Sequence, residues 1–270
     1  MKTREKYKLY KPKKFLGQNF LVDDNISRKI VKQLDIKESD TILEIGPGQG
    51  ALTKHLAGVC KKYIAVEIDS EICNSLKEKY GKGKFINEDF LKFDLNQFKK
   101  PIKIVGNLPY NIASEILFKL FDHREKITIS ILMVQKEFAQ RLVAKPHSKA
   151  YGILAVQTQA FSEPEILFNV PPTVFFPKPK VNSSVIKLNF SNENYEILSR
   201  ELFKRLVRSA FGKRRKILKN SLEDLFEELK LDFDDFDLFF DFSKRAENLN
   251  VEGYVQLSNI IFEKVFYNAE

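Results

Sequence analysis

The chain has 270 residues, of which 43% are hydrophobic and 24 are phenylalanine. This apolar content can fill a large core, which excludes a chain that is disordered throughout. Lys and Arg outnumber Asp and Glu by 45 to 36, and the net charge of +9 favours a polyanionic partner, nucleic acid first. Only two cysteines, no long apolar run and a charged N-terminus predict a cytoplasmic protein without disulfides or membrane spans.

The charge is concentrated in two places. The first fourteen residues hold seven Lys or Arg and one acid, whereas residues 223–241 hold nine Asp or Glu and one Lys. A basic arm is either a solvated tail or a tract that follows a phosphate backbone, and both interpretations stay open. The acidic stretch is typical of a solvated face.

From residue 41 to about 135, short β-branched runs alternate with helical segments, which is typical of βαβ units and a parallel sheet. Strands are predicted at 41–45, 62–68, 84–87, 102–106 and 127–134, with helices at 49–59, 71–80 and 111–121. Further strands at 165–170 and 182–190 would form an antiparallel edge pair and bring the sheet to seven strands.

Amphipathic helices follow the last predicted strand. The domains predicted are a basic arm at 1–14, a main α/β domain at 15–192 and a small helical domain at 193–270.

A glycine-rich turn follows the first predicted strand. Residues 44–50 read Glu-Ile-Gly-Pro-Gly-Gln-Gly, and Glu67 ends the next strand. Glycines let the backbone approach a ligand closely, and an acid at the second strand end can accept hydrogen bonds from ribose hydroxyls. The turn therefore predicts a nucleoside cofactor. Gly46, Gly48 and Ala51 also fit a dinucleotide fingerprint, and a purely structural turn is a third interpretation.

Two further strand ends favour one of these interpretations. Asp89 follows the third strand, where its carboxylate could accept a hydrogen bond from an adenine amino group. Asn-Leu-Pro-Tyr at 107–110 follows the fourth strand, and a nicotinamide-dependent oxidoreductase has no need of it. The tetrapeptide resembles the N-P-P-Y-type motif of S-adenosylmethionine-dependent enzymes that methylate exocyclic amino nitrogens.

Other motifs extend this resemblance over nearly the whole chain. They are Gln-Asn-Phe-Leu at 18–21, Leu-Met-Val-Gln-Lys-Glu at 132–137 and Phe-Phe-Pro-Lys-Pro-Lys-Val-Asn-Ser-Ser at 175–184. With them, the chain is similar to the KsgA/Erm family of rRNA adenine N6,N6-dimethyltransferases. The segments that resemble the small-subunit (KsgA) branch are 144–152, 211–216 and 245–249. The implied fold is a Rossmann-like, seven-stranded S-adenosylmethionine-dependent methyltransferase sheet with a small C-terminal all-helical domain.

The resemblance also implies roles for individual residues. Those expected to bind S-adenosylmethionine are Asn19, Leu21, Gly46, Gly48, Glu67, Asp89 and Asn107. The catalytic group is expected to be Asn107, Leu108, Tyr110 and Phe175. In that group, the Asn107 side chain and the Leu108 carbonyl would accept hydrogen bonds from the target amine, and the two aromatic rings would sandwich the base. Apart from the resemblance, the positive charge of the run that includes Arg214 and Arg215 predicts contacts to RNA phosphates, and Lys178 and Lys180 are expected to contact RNA as well.

The implied reaction is dimethylation of two adjacent adenosines in the 3′-terminal hairpin loop of small-subunit (16S) rRNA, as free RNA or within the assembling 30S subunit. An Erm-type enzyme that acts on large-subunit rRNA, and an RNA-binding assembly factor whose methylation is dispensable, are the alternatives. A monomer is expected. No metal is predicted, because the three histidines have no companion ligands at metal-binding spacing.

Overall fold

The computed structural model of the chain describes residues 12–13, 16–60, 62–81, 83–191, 195–236 and 240–266. The chain divides into two compact units. The first takes its described residues from 12–139 and 164–191, and the second from 140–163 and 195–266. Most of the predicted basic arm lies outside the described residues.

A mixed sheet forms the centre of the first unit. The strands of this unit are Phe20–Leu21 (β1), Thr41–Ile45 (β2), Lys62–Glu67 (β3), Lys84–Asn87 (β4), Ile102–Asn107 (β5), Ile127–Gln135 (β6), Glu163–Val170 (β7), Phe175–Phe176 (β8) and Ser183–Asn189 (β9). Seven of them form one sheet in the order β4-β3-β2-β5-β6-β9-β7, while β1 and β8 pair separately. Strands β2 to β6 run parallel, and β9 pairs antiparallel with β6. The predicted seven-stranded sheet is confirmed.

Helices cover this sheet and bury its apolar strands. They are Asp24–Lys32 (α1), Thr53–Leu56 (α2), Ser70–Tyr80 (α3), Ala113–Asp122 (α4) and Lys136–Leu142 (α5), the last of which continues into the second unit. Short 3₁₀ turns occur at Leu95–Gln97, Arg124–Lys126 and Pro172–Val174. Helix α2 is shorter than the predicted helix at 49–59, because the backbone up to residue 52 stays in turns.

The second unit is helical. Its helices are Ile153–Phe161 (α6), Arg200–Gly212 (α7), Leu218–Leu229 (α8) and Val251–Phe266 (α9), with 3₁₀ turns at Phe233–Phe236 and Ala246–Asn248. The rings of Phe161 and Phe203 meet edge to face at 5.6 Å and pack α6 against α7. The sequence-based boundary at 192 left residues 140–163 in the main domain, whereas the structure groups them with this unit. In the described residues, no helix has the length and apolar character needed to cross a bilayer.

A buried polar cluster ties strands β2 and β3 to helix α2. The Glu44 carboxylate accepts hydrogen bonds from the Thr53 hydroxyl at 2.9 Å and from the Tyr63 hydroxyl, and all three residues are buried. Burial, together with the charge of nearby Glu67, raises the pKa of Glu44 to about 7. The folded protein therefore holds the carboxyl proton of Glu44 more tightly than the unfolded chain does.

This difference predicts a pH-dependent stability. Between its ordinary pKa of 4.5 and its folded value of about 7, Glu44 is protonated in the folded state and increasingly ionised in the unfolded chain. The wild-type free energy of unfolding, relative to that of Glu44→Gln, should thus fall by up to about 3 kcal/mol as the pH rises through this interval and stay level above it. Urea unfolding at several pH values measures the difference. Glu115→Gln, which removes an exposed carboxyl on α4, is the control. A Glu44→Gln difference that is independent of pH would contradict the burial argument.

Candidate active site

A cavity of about 270 Å³ opens at the carboxyl ends of strands β2 to β5. Strand β2 lies between β3 and β5 in the sheet. Strands β3 and β4 therefore extend the sheet on one side of β2, and β5 and β6 extend it on the other. Open parallel sheets bind ligands where the strand order reverses in this way. The predicted site residues that line the cavity are Asn19, Leu21, Gly46, Gly48, Glu67, Asp89, Asn107, Leu108 and Tyr110.

The glycine turn forms one wall of the cavity. Gly46 has a φ of +59°, which a residue with a side chain adopts only under strain, and a Cβ there would meet nothing within 4 Å. The backbone at Gly46 therefore faces open space. Gly48 differs, because a Cβ at that position would come within 2.9 Å of the Phe20 ring. Phe20 itself lines the cavity and packs against the turn.

Glu67 ends β3 as a buried carboxylate on the cavity wall. One of its oxygens accepts a hydrogen bond from the Gly48 N–H at 3.1 Å, and the other accepts one from the Asp69 N–H at 3.0 Å. Each oxygen can accept a second hydrogen bond, so the side chain is fixed and still able to bind two hydroxyls. Burial raises the pKa of Glu67.

Asp89 lies in a tight turn after β4. Its Oδ1 accepts a hydrogen bond from the Leu91 N–H at 2.9 Å, and its backbone carbonyl accepts from Lys92 and Phe93. Lys119 on α4 donates to the carbonyls of Phe90 at 2.8 Å, Leu91 at 2.9 Å and Phe93. The ammonium thus uses all three of its donors on this one turn, as a side chain that caps a helix C-terminus would.

Asn107 ends β5 on the opposite wall. Its side-chain nitrogen donates to the backbone carbonyl of Asn19 at 2.8 Å, and the Asn19 side chain donates in turn to the Gly17 carbonyl at 3.1 Å. Because the nitrogen is engaged, Oδ1 of Asn107 is the atom left to accept a hydrogen bond from a ligand. The N-terminal segment that carries Asn19 is held here by the same bond.

The two predicted stacking aromatics differ in position. Tyr110 lines the cavity, and its hydroxyl is 2.8 Å from the Ser183 hydroxyl at the start of β9. Among the described residues, Phe175 is not part of the cavity lining, and it is only 4% exposed within the apolar core. The neighbouring Phe176 is 39% exposed. The structure therefore does not bring Phe175 together with Tyr110 at the cavity.

The residues predicted to contact RNA are also of two kinds. Lys178 and Lys180 are exposed in residues 176–182, which we call the rim segment, and Arg215 is exposed in the second unit. Arg214 instead forms an ion pair with Glu247 at 2.8 Å and donates to the Ser148 carbonyl at 3.3 Å. Its guanidinium is already engaged in holding the loop around Ser148.

Sequence reasoning missed two residues that shape the cavity. Phe20 belongs to the Gln-Asn-Phe-Leu motif, so its position was available as a signal, but its ring was not assigned to the site. Lys119 gave no such signal, because a lysine on an amphipathic helix is typical of a solvated face.

In the part of the chain that is described, no group of three or more His, Cys, Asp or Glu side chains could hold a metal ion.

Comparison with known proteins gives consistent matches. The family model for ribosomal RNA adenine dimethylase matches residues 10–263. The ribosomal RNA small subunit methyltransferase A of Francisella tularensis subsp. novicida is 42% identical over 258 residues, which cover 93% of this chain and 98% of that protein.

Solved structures agree with this match. A dimethyladenosine transferase from Plasmodium falciparum superposes with a TM-score of 0.77 at 28% identity, over 90% of this chain and 97% of the other. The 23S rRNA methyltransferase ErmE superposes with a TM-score of 0.64 at 25% identity, over 90% of this chain and 99% of the other. The chain is a methyltransferase and belongs to the ribosomal RNA adenine dimethylase family.

Proposed function

We propose that the protein transfers methyl groups from S-adenosylmethionine to the N6 atoms of two adjacent adenosines in the 3′-terminal hairpin loop of small-subunit rRNA. The observation that carries the proposal is the fixed amide of Asn107. Its oxygen is held as an acceptor on a cavity wall, opposite two carboxylates suited to a nucleoside. The similarity to a small-subunit methyltransferase over 93% of the chain favours the small-subunit target.

The residues of the cavity fit this cofactor. The open space beside Gly46 accommodates a ligand that lies against the backbone. Glu67 can accept hydrogen bonds from the two ribose hydroxyls, and Asp89 can accept one from the adenine amino group. Asn19 and Leu21 close the cavity from the N-terminal segment. When bound, S-adenosylmethionine supplies an electrophilic methyl group on a positively charged sulfur, and carboxylates in a cavity attract such a cation.

The catalytic step follows from the position of two acceptors. The lone pair of an adenine amino group is delocalised into the ring, so the nitrogen is a weak nucleophile. Hydrogen bonds from this amino group to Asn107 Oδ1 and to the Leu108 carbonyl favour the pyramidal nitrogen of the transition state over the planar ground state. With the cofactor bound, a nitrogen held by these two acceptors would form its new bond to the methyl carbon as the methyl–sulfur bond breaks, and the ammonium formed would lose its proton to solvent. The rate acceleration would come from the alignment of the nitrogen, the methyl carbon and the sulfur, and the reaction needs no strong base.

The target base must leave its stack to reach these acceptors. Tyr110 offers an aromatic ring within the cavity, and its hydroxyl is anchored on Ser183. Stacking on such a ring contributes about 1–3 kcal/mol per base, whereas flipping a base that is already unpaired costs less than flipping a paired one. A hairpin loop therefore suits the site better than a duplex does. That Phe175 acts as a second stacking ring stays a prediction. This role would require the Phe175 ring to leave the apolar core.

The decisive test is transfer of labelled methyl from S-adenosylmethionine to unmethylated small ribosomal subunits, with large-subunit rRNA assayed in parallel. We expect dimethyladenosine at two adjacent positions of the small-subunit 3′ hairpin. Label confined to large-subunit rRNA would assign the chain to the Erm-type reaction. Tight binding to small subunits without any transfer would favour an assembly factor. Free rRNA and partly assembled subunits should be compared, since both are candidate substrates.

A first prediction of the proposed function concerns Asn107→Ala. Loss of the fixed acceptor should lower kcat by about a hundredfold or more, as does removal of a single preorganised hydrogen-bonding group at other active sites, while RNA affinity stays within about twofold. Single-turnover methylation and RNA binding measure the two effects. Asn169→Ala is the matched control, because that amide bonds to Ser184 at 2.8 Å on β9 and does not line the cavity. Near-normal turnover in Asn107→Ala would refute the role.

A second prediction concerns Lys119 as a positioning residue for the Asp89 turn. Lys119→Met removes three hydrogen bonds to that turn. The Kd for S-adenosylhomocysteine, the product that S-adenosylmethionine leaves after methyl transfer, should therefore rise by about tenfold, equivalent to about 1.4 kcal/mol. Calorimetric titration measures it, and Lys119→Arg should restore most of the affinity.

Lys103 provides the control for this prediction. Its ammonium donates to the carbonyls of Leu34 and Asp35 and pairs with Asp40, on a segment that does not line the cavity. Lys103→Met should therefore lower the free energy of unfolding but leave the Kd within about twofold. Equal losses of affinity in the Lys103 and Lys119 variants would show a general loss of stability instead of a local effect on the turn.

A third prediction separates two neighbouring arginines. Arg215→Ala should reduce the slope of log affinity for RNA against log salt by about 1, because one fewer phosphate contact releases fewer counterions. Arg214→Ala should change the slope less and the stability more, because its guanidinium is paired with Glu247. RNA titrations at several salt concentrations, with urea unfolding of each variant, distinguish the two roles. An unchanged slope in Arg215→Ala would exclude it as a phosphate contact.

A further inference from the structure

The rim segment, residues 176–182, is an exposed stretch that carries both apolar and basic side chains. Phe176 is 39% exposed and Val181 is 41% exposed, with Lys178 and Lys180 exposed between them. An exposed aromatic ring next to cations is the combination with which proteins hold single-stranded nucleic acid, because bases stack on the ring and phosphates pair with the cations. The segment has this composition beside the proposed active site.

Both ends of the rim segment are attached to residues that line the cavity. At one end, Phe176 pairs directly with Phe20 in the β1–β8 ribbon. At the other end, Ser183 follows the segment, and its hydroxyl lies 2.8 Å from the hydroxyl of Tyr110. The Asn182 carbonyl also accepts a hydrogen bond from the Lys136 N–H at 3.0 Å. The segment is therefore fixed at the edge of the cavity at both ends.

The pairing also decides on which side Phe176 lies. Residues directly opposite each other in an antiparallel pair project to the same face of the ribbon, with Cβ atoms about 4.5–5.5 Å apart. Phe20 packs its ring against Gly48 in the cavity wall, so Phe176 shares a face with that ring. Leu21, the partner of Phe175, also lines the cavity, so it is exposure, 39% for Phe176 against 4% for Phe175, that makes Phe176 the available ring. Phe175, next along the strand, projects to the other face and is buried.

Phe176 nevertheless lies outside the cavity, since it is not part of its lining. The base that reacts must enter the cavity to reach Asn107 and Leu108. A base that stacks on Phe176 is therefore a different one, held outside the cavity while the reacting base is inside. In a chain of nucleotides, the base nearest to the reacting one is its neighbour in sequence.

We propose that Phe176 is the stacking platform for the nucleotide adjacent to the target adenosine, with Lys178 and Lys180 on the phosphates that follow. The assignment rests on the proposed function and adds a second base contact to it. It gives a physical role to the adjacency of the two adenosines, because one stacks on Phe176 while the other is methylated. Phe176 thereby contributes to substrate specificity without contacting the methyl donor.

The absence of tryptophan from the chain makes a direct test possible. Phe176→Trp introduces a single tryptophan at the platform, and its emission should be quenched when a hairpin RNA with two adjacent loop adenosines is added to saturation. Val59→Trp is the matched control. Val59 is an apolar residue that is 54% exposed before β3, at the edge of the sheet opposite the cavity, and its emission should not change. Unchanged emission from Phe176→Trp with bound RNA would overturn the proposal.

Kinetics give a second measurement. Phe176→Leu keeps an apolar side chain but removes the ring, so the KM for the hairpin RNA should rise by about tenfold, which corresponds to about 1.4 kcal/mol of lost stacking. The Kd for S-adenosylhomocysteine should stay within about twofold, and Phe176→Tyr should restore the KM. An unchanged KM in Phe176→Leu would also overturn the proposal.

Binding and methylation assays of the wild-type enzyme distinguish a failure of this inference from a failure of the proposed function. Methylation of the hairpin by the wild type, together with normal RNA binding by Phe176→Leu, would refute the platform alone. Binding of the hairpin by the wild type without methylation of it, either free or within partly assembled small subunits, would refute the proposed reaction, and quenching of Phe176→Trp would still establish or refute the platform. If the wild type bound neither the free hairpin nor partly assembled small subunits, both would be refuted.

Discussion

The hydrogen bond from the Asn107 side chain to the Asn19 carbonyl joins two segments that are 88 residues apart in sequence. It determines which atom of the Asn107 amide can accept a hydrogen bond from a substrate. It also holds the N-terminal segment at the carboxyl edge of the sheet, where this segment contributes Asn19, Phe20 and Leu21 to the cavity. If the bond were lost, the amide could rotate and the acceptor would no longer be fixed, while the N-terminal wall would keep only its other attachments, which include the pairing of β1 with β8.

Much of the site could be predicted from the sequence because parallel strands place their carboxyl ends along one edge. Glu67, Asp89 and Asn107 each follow an apolar β-branched run, so their shared location needed only the strand boundaries and the direction of the strands. The strand at 41–45 has the predicted bounds because residues 42–45 are buried on both faces and form a continuous apolar run apart from Glu44. Helix α2 was predicted too long, since the glycine turn delays the first helical residue to Thr53.

The parts that could not be predicted depend on tertiary contacts without a local pattern. Helix α6 is buried on nearly every side, so it lacks the one-sided periodicity that identifies a surface helix. The pairing of β1 with β8 joins two-residue strands that are far apart in sequence, and it decides which of Phe175 and Phe176 is buried. The sequence likewise does not show which side chains form ion pairs or hydrogen bonds with each other. Arg214 and Arg215 look alike as part of a basic run, but only the structure shows that Arg214 is paired with Glu247.

In the first unit, acidic side chains line the cavity and basic side chains lie at its edge. The chain is basic as a whole, yet the cavity is lined by acidic side chains that include Glu67, Glu88 and Asp89. Carboxylates repel a phosphate backbone, so a nucleic acid can place an uncharged base in the cavity but must keep its phosphates outside, where Lys178 and Lys180 lie. In the proposed reaction, the same carboxylates would attract the cationic methyl donor more strongly than the product left after transfer, whose sulfur is neutral. Exchange of the spent cofactor would thereby be favoured after each methyl group.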